Sequence, residues 1–309
     1  MSTTSIPEKQ VPGPGEIFLD HIGWFVPDID HASLLFDKLG FLLTPYTVHM
    51  NEQPDGSRVP SGTANRCAMI QRGYLEILTR VPDVDSAITR QMDAGLARYT
   101  GLHLIAFTVA DTADFTKILR ESGFEPDPPV ALRRPMTLDD GSVDNAAFSV
   151  VRLPSSAMAE GRVQVLSQDT PEVVWQSSLT CFENGAELLS GVLIVSVDPV
   201  EAVNRYQSFT GRLHQRWGSG YRIILDRGEL VFCSPTDVAQ FLPETDIPSL
   251  PFIAAVSIRS KDLELTRQFL NDAHIPFRSS SPSRIVVDNH AGVGSAFVFH
   301  SNDTTPFSL

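Results

Sequence analysis

Two polar residues sit where the sequence otherwise builds apolar strands: His21 in FLDHIGWF (18–25) and Glu76 in YLEIL (74–78). A buried imidazole or carboxylate must be paired or metal-bound, because an unpaired buried charge costs several kcal/mol. Imidazole nitrogen with carboxylate oxygen suits a divalent Zn, Mn, Fe, Ni or Co ion. The same two groups can also hydrogen-bond only each other across a sheet, or face solvent. His49, after Pro45-Tyr46-Thr47-Val48, has a side-chain type that titrates near working pH. It suits substrate contact or general-base work, or is an ordinary loop histidine. Asn65 and Arg66 start a strand; Asn65 can orient a substrate carbonyl or simply make a turn. Arg133 and Arg134 are adjacent cations in a Pro-rich loop of an acidic chain. They suit a carboxylate or phosphate on a small ligand, or stay solvated. Trp24, three residues beyond His21, turns to the other strand face and is expected to pack against a helix.

An internal repeat positions these residues. Segment 18–28 reads as a strand ending at a Pro-Asp turn. Asp28 or Asp30 can cap a helix that runs to Leu39 and stops at Gly40, before a strand at 41–43. Strands at 64–70 and 74–78 complete the unit. The order recurs from 102–111 (LHLIAFTVAD), from 191–198 and from 252–258, and GYLEILTRVPD (73–83) aligns with GRVQVLSQDTPE (161–172). Four β-α-β-β-β modules imply an α+β architecture. The chain divides into an arm (1–16) expected to be disordered, a first half (17–168; modules 17–80 and 101–168), and a linker (169–190). A second half (191–300; modules 191–235 and 251–300) and a polar tail (301–309) follow.

These modules resemble the vicinal oxygen chelate superfamily, also called the glyoxalase/bleomycin-resistance/dioxygenase superfamily. LDHIGWFVPD, the LGF after the first helix, His49 followed by GTAN (62–65), GYLEIL, and DTPEVVW with the later NGA (184–186) are similar to the glyoxalase-like domain family. The resemblance implies two tandem half-barrel domains, each made of two paired modules, with a divalent metal on the concave face. It implies metal ligands on the first and last strand of each module: His21 and Glu76 in the first, Gln164 on the last strand of the second. The remaining position falls on Leu104. His103, one residue earlier, joins the ligand set only through a bulge or shifted register. Modules three and four offer Gly191, Val231, Ile253 and Phe297, none of which binds a metal, so the second domain looks degenerate. It is left to pack on the first, to support a homodimer or to take an apolar molecule. The implied activity is a metal-dependent isomerase or lyase that chelates a small oxygenated metabolite and stabilises its oxyanion, with Glu76 also moving protons. A non-catalytic binding or sequestering protein is the alternative. A ring-cleaving dioxygenase fits less well, since it wants a second histidine ligand.

The 309 residues are 42% hydrophobic and 20% charged, a globular composition with length for two domains. Lys+Arg 24 against Asp+Glu 37 gives a net charge of −13, which argues against nucleic acid and anionic membrane surfaces as partners. No apolar run is long enough to span a bilayer, and the N-terminus does not read as a secretory signal. Cys67, Cys181 and Cys233 form no CxxC pair, which fits buried thiols in a reduced, cytoplasmic protein. No GxGxxG follows a strand and no GxSxG is present, so nucleotide-cofactor and serine-hydrolase readings have no support.

Overall fold

The computed structural model describes residues 9–53, 55–180, 182–289 and 293–307, without the side chains of Glu52 and Ser280. Cys181 and the first eight residues of the arm lie outside the described residues. Sixteen strands form two eight-stranded sheets. The first holds β1 (Ile17–Phe25), β2 (Thr47–Glu52), β3 (Arg58–Met69), β4 (Tyr74–Arg80), β5 (Gly101–Val109), β6 (Val130–Thr137), β7 (Val143–Arg152) and β8 (Arg162–Gln168), in the order β2-β3-β4-β1-β5-β8-β7-β6. The second holds β9 (Ala186–Val195), β10 (His214–Trp217), β11 (Gly220–Ile224), β12 (Glu229–Cys233), β13 (Phe252–Ser260), β14 (Arg278–Ser281), β15 (Arg284–Val287) and β16 (Ala296–His300), in the equivalent order. In each module the first and last strands run parallel, and the two first strands pair antiparallel at the sheet centre. This is the expected α+β arrangement of two tandem half-barrels.

Each module's helix begins the same way. The helices α1 (Ile29–Lys38), α3 (Thr112–Glu121), α5 (Pro199–Thr210) and α7 (Leu263–Asp272) are N-capped by Asp28, Asp111, Asp198 and Asp262. Each carboxylate accepts two backbone N–H groups, a cap worth about 1 kcal/mol. The glycine before the last strand is required by close approach. Gly73 has φ +86, and a Cβ there would meet the Asp20 carbonyl at 2.8 Å; at Gly161 it would meet the His103 carbonyl at 2.2 Å.

The convex faces of the two sheets and the four module helices share one apolar core. Trp24 sits there, edge-on to Phe36 of α1 at 5.2 Å and stacked on Phe297 of the second sheet at 5.5 Å. The helix contact was expected; the contact across the domains was not. Each fully buried side chain of this kind stabilises the fold by about 1.5–3 kcal/mol. Phe107 and Phe115 likewise meet Phe209 of α5.

Several expectations need correction. Residues 9–16 are ordered: the Gln10 carbonyl accepts from Arg227, and Lys9 pairs with Glu16. Segment 169–190 is more than a linker, since α4 (Pro171–Val174) buries Val173 and Val174 against the first sheet and β9 already starts at Ala186. The loop carrying Arg133 and Arg134 is the edge strand β6; edge positions tolerate Pro135, which hid its strand character. The polar tail carries a fully buried Phe307. Strand register also shifts the equivalences in module four to Ala255 and Val298. Ile253 and Phe297 belong to the convex face, but the replacements are equally apolar.

Candidate active site

The concave face of the first sheet encloses a cavity of about 340 Å³. Strand alternation sends His21 of β1, Tyr74, Glu76 and Leu78 of β4, Leu104 of β5, and Arg162, Gln164, Leu166 and Gln168 of β8 into it. Helix α2 (Ala87–Arg98) brings Ile88 to one end, and α4 brings Val174.

Glu76 lies at the centre, buried, with two imidazoles at its flanks. His21 Nε2 is 3.9 Å from Oε2 and His49 Nε2 is 4.0 Å from Oε1. Glu76 and His21 are not each other's hydrogen-bond partners. Oε1 accepts from the Asn65 amide at 2.6 Å, whereas His21 Nδ1 bonds to Asp20 at 2.7 Å. In its neutral form His21 donates Nδ1–H to Asp20, which turns the Nε2 lone pair into the cavity. The Gln164 amide stands 3.4 Å from that nitrogen. The Tyr74 ring stacks on His21 at 4.2 Å, and burial pushes its phenol well above the usual range.

Asp20 is fully buried beneath His21 and faces a charge from the second domain. Arg227 crosses to β1, its guanidinium 4.6 Å from the Phe18 ring and hydrogen-bonded to the Leu19 carbonyl. Burial lowers the Arg227 pKa to about 10, and the Asp20 carboxylate opposes that shift. The second domain thus supports the first-strand histidine from behind.

His49 reaches the cavity through a β-bulge. The β2–β3 register slips between Val48 and Met50, and the ring bonds through Nδ1 to Thr63 Oγ1 at 2.9 Å. Burial lowers its pKa to about 4 against the opposing pull of Glu76, with Arg134, Arg162 and Arg152 adding to the depression. The imidazole is therefore neutral at ordinary pH.

The structure brings together His21, Glu76, Gln164, His49, Asn65 and Arg134. It places His103 and Arg66 away from the cavity and Arg133 at its rim. His103 does not line the cavity: its Nε2 lies 2.8 Å from the Tyr99 carbonyl, and its ring stacks on Tyr99 at 4.0 Å and lies 5.2 Å from Phe25. The β1–β5 register does slip at His103, between the pairs Gly23–Leu104 and Trp24–Leu102, but the slip leaves the ring against Tyr99, and Leu104 takes the position paired with Arg162, as His21 takes that paired with Tyr74. Arg66 turns outward, 3.8 Å from Asp30 of α1. Arg133 is exposed at the cavity rim, where its carbonyl accepts from Arg58.

The sequence reading missed Tyr74, Asp20, Arg152 and Arg162. For Arg162 a signal existed: in GRVQVLS it shares strand parity with Gln164.

Among the described residues no three His, Cys, Asp or Glu side chains form a metal cluster. One imidazole, one carboxylate and one amide do converge, and the Asp20-oriented lone pair of His21 is the arrangement a metal-binding histidine needs. His21 and Glu76 fit a divalent ion as two donors; Gln164, whose amide nitrogen faces His21 here, would complete a three-donor set with its amide turned over to present the oxygen, beside apolar Leu104 at the fourth position.

Two sheets of two modules each, one with a polar concave face, have the architecture of the vicinal oxygen chelate superfamily. The sequence model of the glyoxalase-like domain family matches residues 19–210, and the chain belongs to that family. No curated protein sequence matches it. Among solved structures, a hypothetical protein from Staphylococcus aureus superposes with TM-score 0.62 at 11% identity, over 92% of this chain and 99% of that one. A mutant of 4-hydroxymandelate synthase from Streptomyces coelicolor gives 0.56 at 12%, over 93% and 92%. A fusion of a xylose isomerase-like TIM barrel with 4-hydroxyphenylpyruvate dioxygenase gives 0.55 at 9%, over 96% of this chain and 50% of that one. At these identities the likeness is one of fold.

Proposed function

We propose that the protein is a metal-dependent isomerase or lyase acting on a small oxygenated metabolite in the first concave cavity. The observation that carries this reading is the buried Glu76 carboxylate, held by Asn65 through Oε1 while Oε2 faces His21 and the cavity. A divalent ion on His21, Glu76 and Gln164 would polarise substrate oxygens and stabilise charge developing on them. Glu76 is placed to take a proton from a carbon beside such an oxygen and return it at a neighbouring atom, the step an isomerisation needs. Neutral His49 accepts a hydrogen bond from a substrate hydroxyl at Nε2 when its Nδ1–H is donated to Thr63. Leu104, Leu78 and Leu166 exclude water from the carboxylate.

Elemental analysis of protein purified without chelator, with melting temperatures in added Zn, Mn, Fe, Ni or Co, tests the reading. Wild type should carry metal or be stabilised by it, and His21→Ala and Glu76→Ala should not. A wild type that carries no metal and gains no stability contradicts it. That result would favour the second reading, a binding protein without catalysis, which rests on Leu104 standing where the paired module has His21.

A further inference from the structure

The cavity wall on β6, β7 and β8 carries Arg134, Arg152 and Arg162, with Arg133 at its exposed rim, in a chain of net charge −13. Arg152 pairs across strands with Gln164, and Arg162 lies two residues before Gln164 on the same face. Arg134 approaches from the edge strand. Arg134 Nε, Arg152 Nε and Arg162 Nη2 are buried with no hydrogen-bond partner. Arg162 is only 6% exposed, and its Nε donates to Gln91 of α2, which fixes the group. Among the described residues neither Arg134 nor Arg152 has a carboxylate within ion-pair distance, Asp127 acts on Arg152 only from further away, and Glu76 is the acidic side chain lining this cavity.

Burying cations without counterions is costly, so such groups persist where a ligand supplies the counterion. The same wall presents Leu132, Phe148 and Leu166, which accept an apolar body. The geometry points to an anion subsite: the substrate is a small organic acid whose oxyanion group seats on Arg152 and Arg162, with Arg134 at the rim, and whose oxygenated carbon faces Glu76. This rests on the placement of the reaction at Glu76 proposed above. It adds the substrate class, a carboxylate or phosphate ester on a compact apolar frame.

Calorimetric titration of the full-length protein with phenylacetate, phenyl phosphate and the neutral twin phenylacetamide tests it. Wild type should bind an anion about tenfold or more tightly than phenylacetamide, the scale of one charge-assisted hydrogen bond. The tighter anion identifies carboxylate or phosphate. Arg152→Gln and Arg162→Gln should each lose most of that preference. Ligand-free Arg152→Gln should melt at or above wild type, because an unneutralised charge is gone. Equal binding of phenylacetamide and both anions to wild type overturns the proposal. So does a preference that survives both substitutions, or an Arg152→Gln protein that loses stability along with the preference. Glu76→Gln should keep the anion preference. A metal-free wild type that still prefers anions would therefore sink the catalytic reading and leave the subsite standing.

Discussion

The two concave faces of this molecule share one topology and opposite interiors. In the first, His21, Glu76, Gln164, Arg134, Arg152 and Arg162 surround an open cavity. In the second, the equivalent positions are Gly191, Val231, Ala255 and Val298, inside an apolar cluster closed by α6 (Pro235–Phe241) and Phe307. A Cβ at Gly191 would lie 3.0 Å from the Phe307 ring, so the tail occupies the place of the first domain's histidine. Trp217 Nε1 donates to the Phe307 carbonyl and fastens the plug. Duplication preserved the scaffold, and the packing of one aromatic ring separates a domain that can hold a ligand from one that holds itself.

The largest expected effect tests the plug. Phe307→Ala should lower unfolding free energy by about 3–5 kcal/mol, read by denaturant titration, and leave metal and anion binding in the first domain unchanged. If it instead loosens ligand binding, the two faces are not independent.

Next is Glu229, buried beside Phe307 in the second concavity, whose carboxyl is pushed up to about 7 mainly by burial, with Arg222 opposing. The folded pKa is raised, so its favourable contribution is complete below the ordinary value of 4.5 and is lost as pH rises through about 7. Wild type should therefore lose roughly 3 kcal/mol relative to Glu229→Gln across that window. Parallel pH profiles of melting temperature for the two proteins would refute the assignment.

Leu104→His should sharpen the contrast from the other side. It places an imidazole opposite His21 and should tighten divalent-metal binding at least about tenfold, the scale on which even outer-shell partners act. Unchanged affinity in a metal titration would mean that β5 does not face the ion. The smallest effect is expected of His103→Leu, which should keep full metal affinity because that ring faces Tyr99. A loss of metal would return His103 to the ligand set.

Much of this was legible in the sequence, because the repeat exposed it. The aspartate caps, the glycines before the last strands and the isolated polar residues His21 and Glu76 are local signals with one physical reading each. Gln164 and Leu104 followed by alignment, and strand register puts both on the concave face. The arginine wall was not legible, because Arg152 ends a strand as any solvated cation does and β6 was masked by Pro135. Phe307 sat in a polar tail, and only long-range packing shows that it fills the second concavity. Asp20 looked like a neighbour of His21 rather than its partner, since adjacent strand residues normally face apart.

The central claim is that the first concave face alone holds the reactive site. Mn²⁺ titration followed by electron paramagnetic resonance, on wild type, Glu76→Ala and Glu229→Gln, tests it most directly. One site per chain is expected, abolished by Glu76→Ala and retained in Glu229→Gln. A site that survives Glu76→Ala, or one that disappears with Glu229→Gln, would contradict the account.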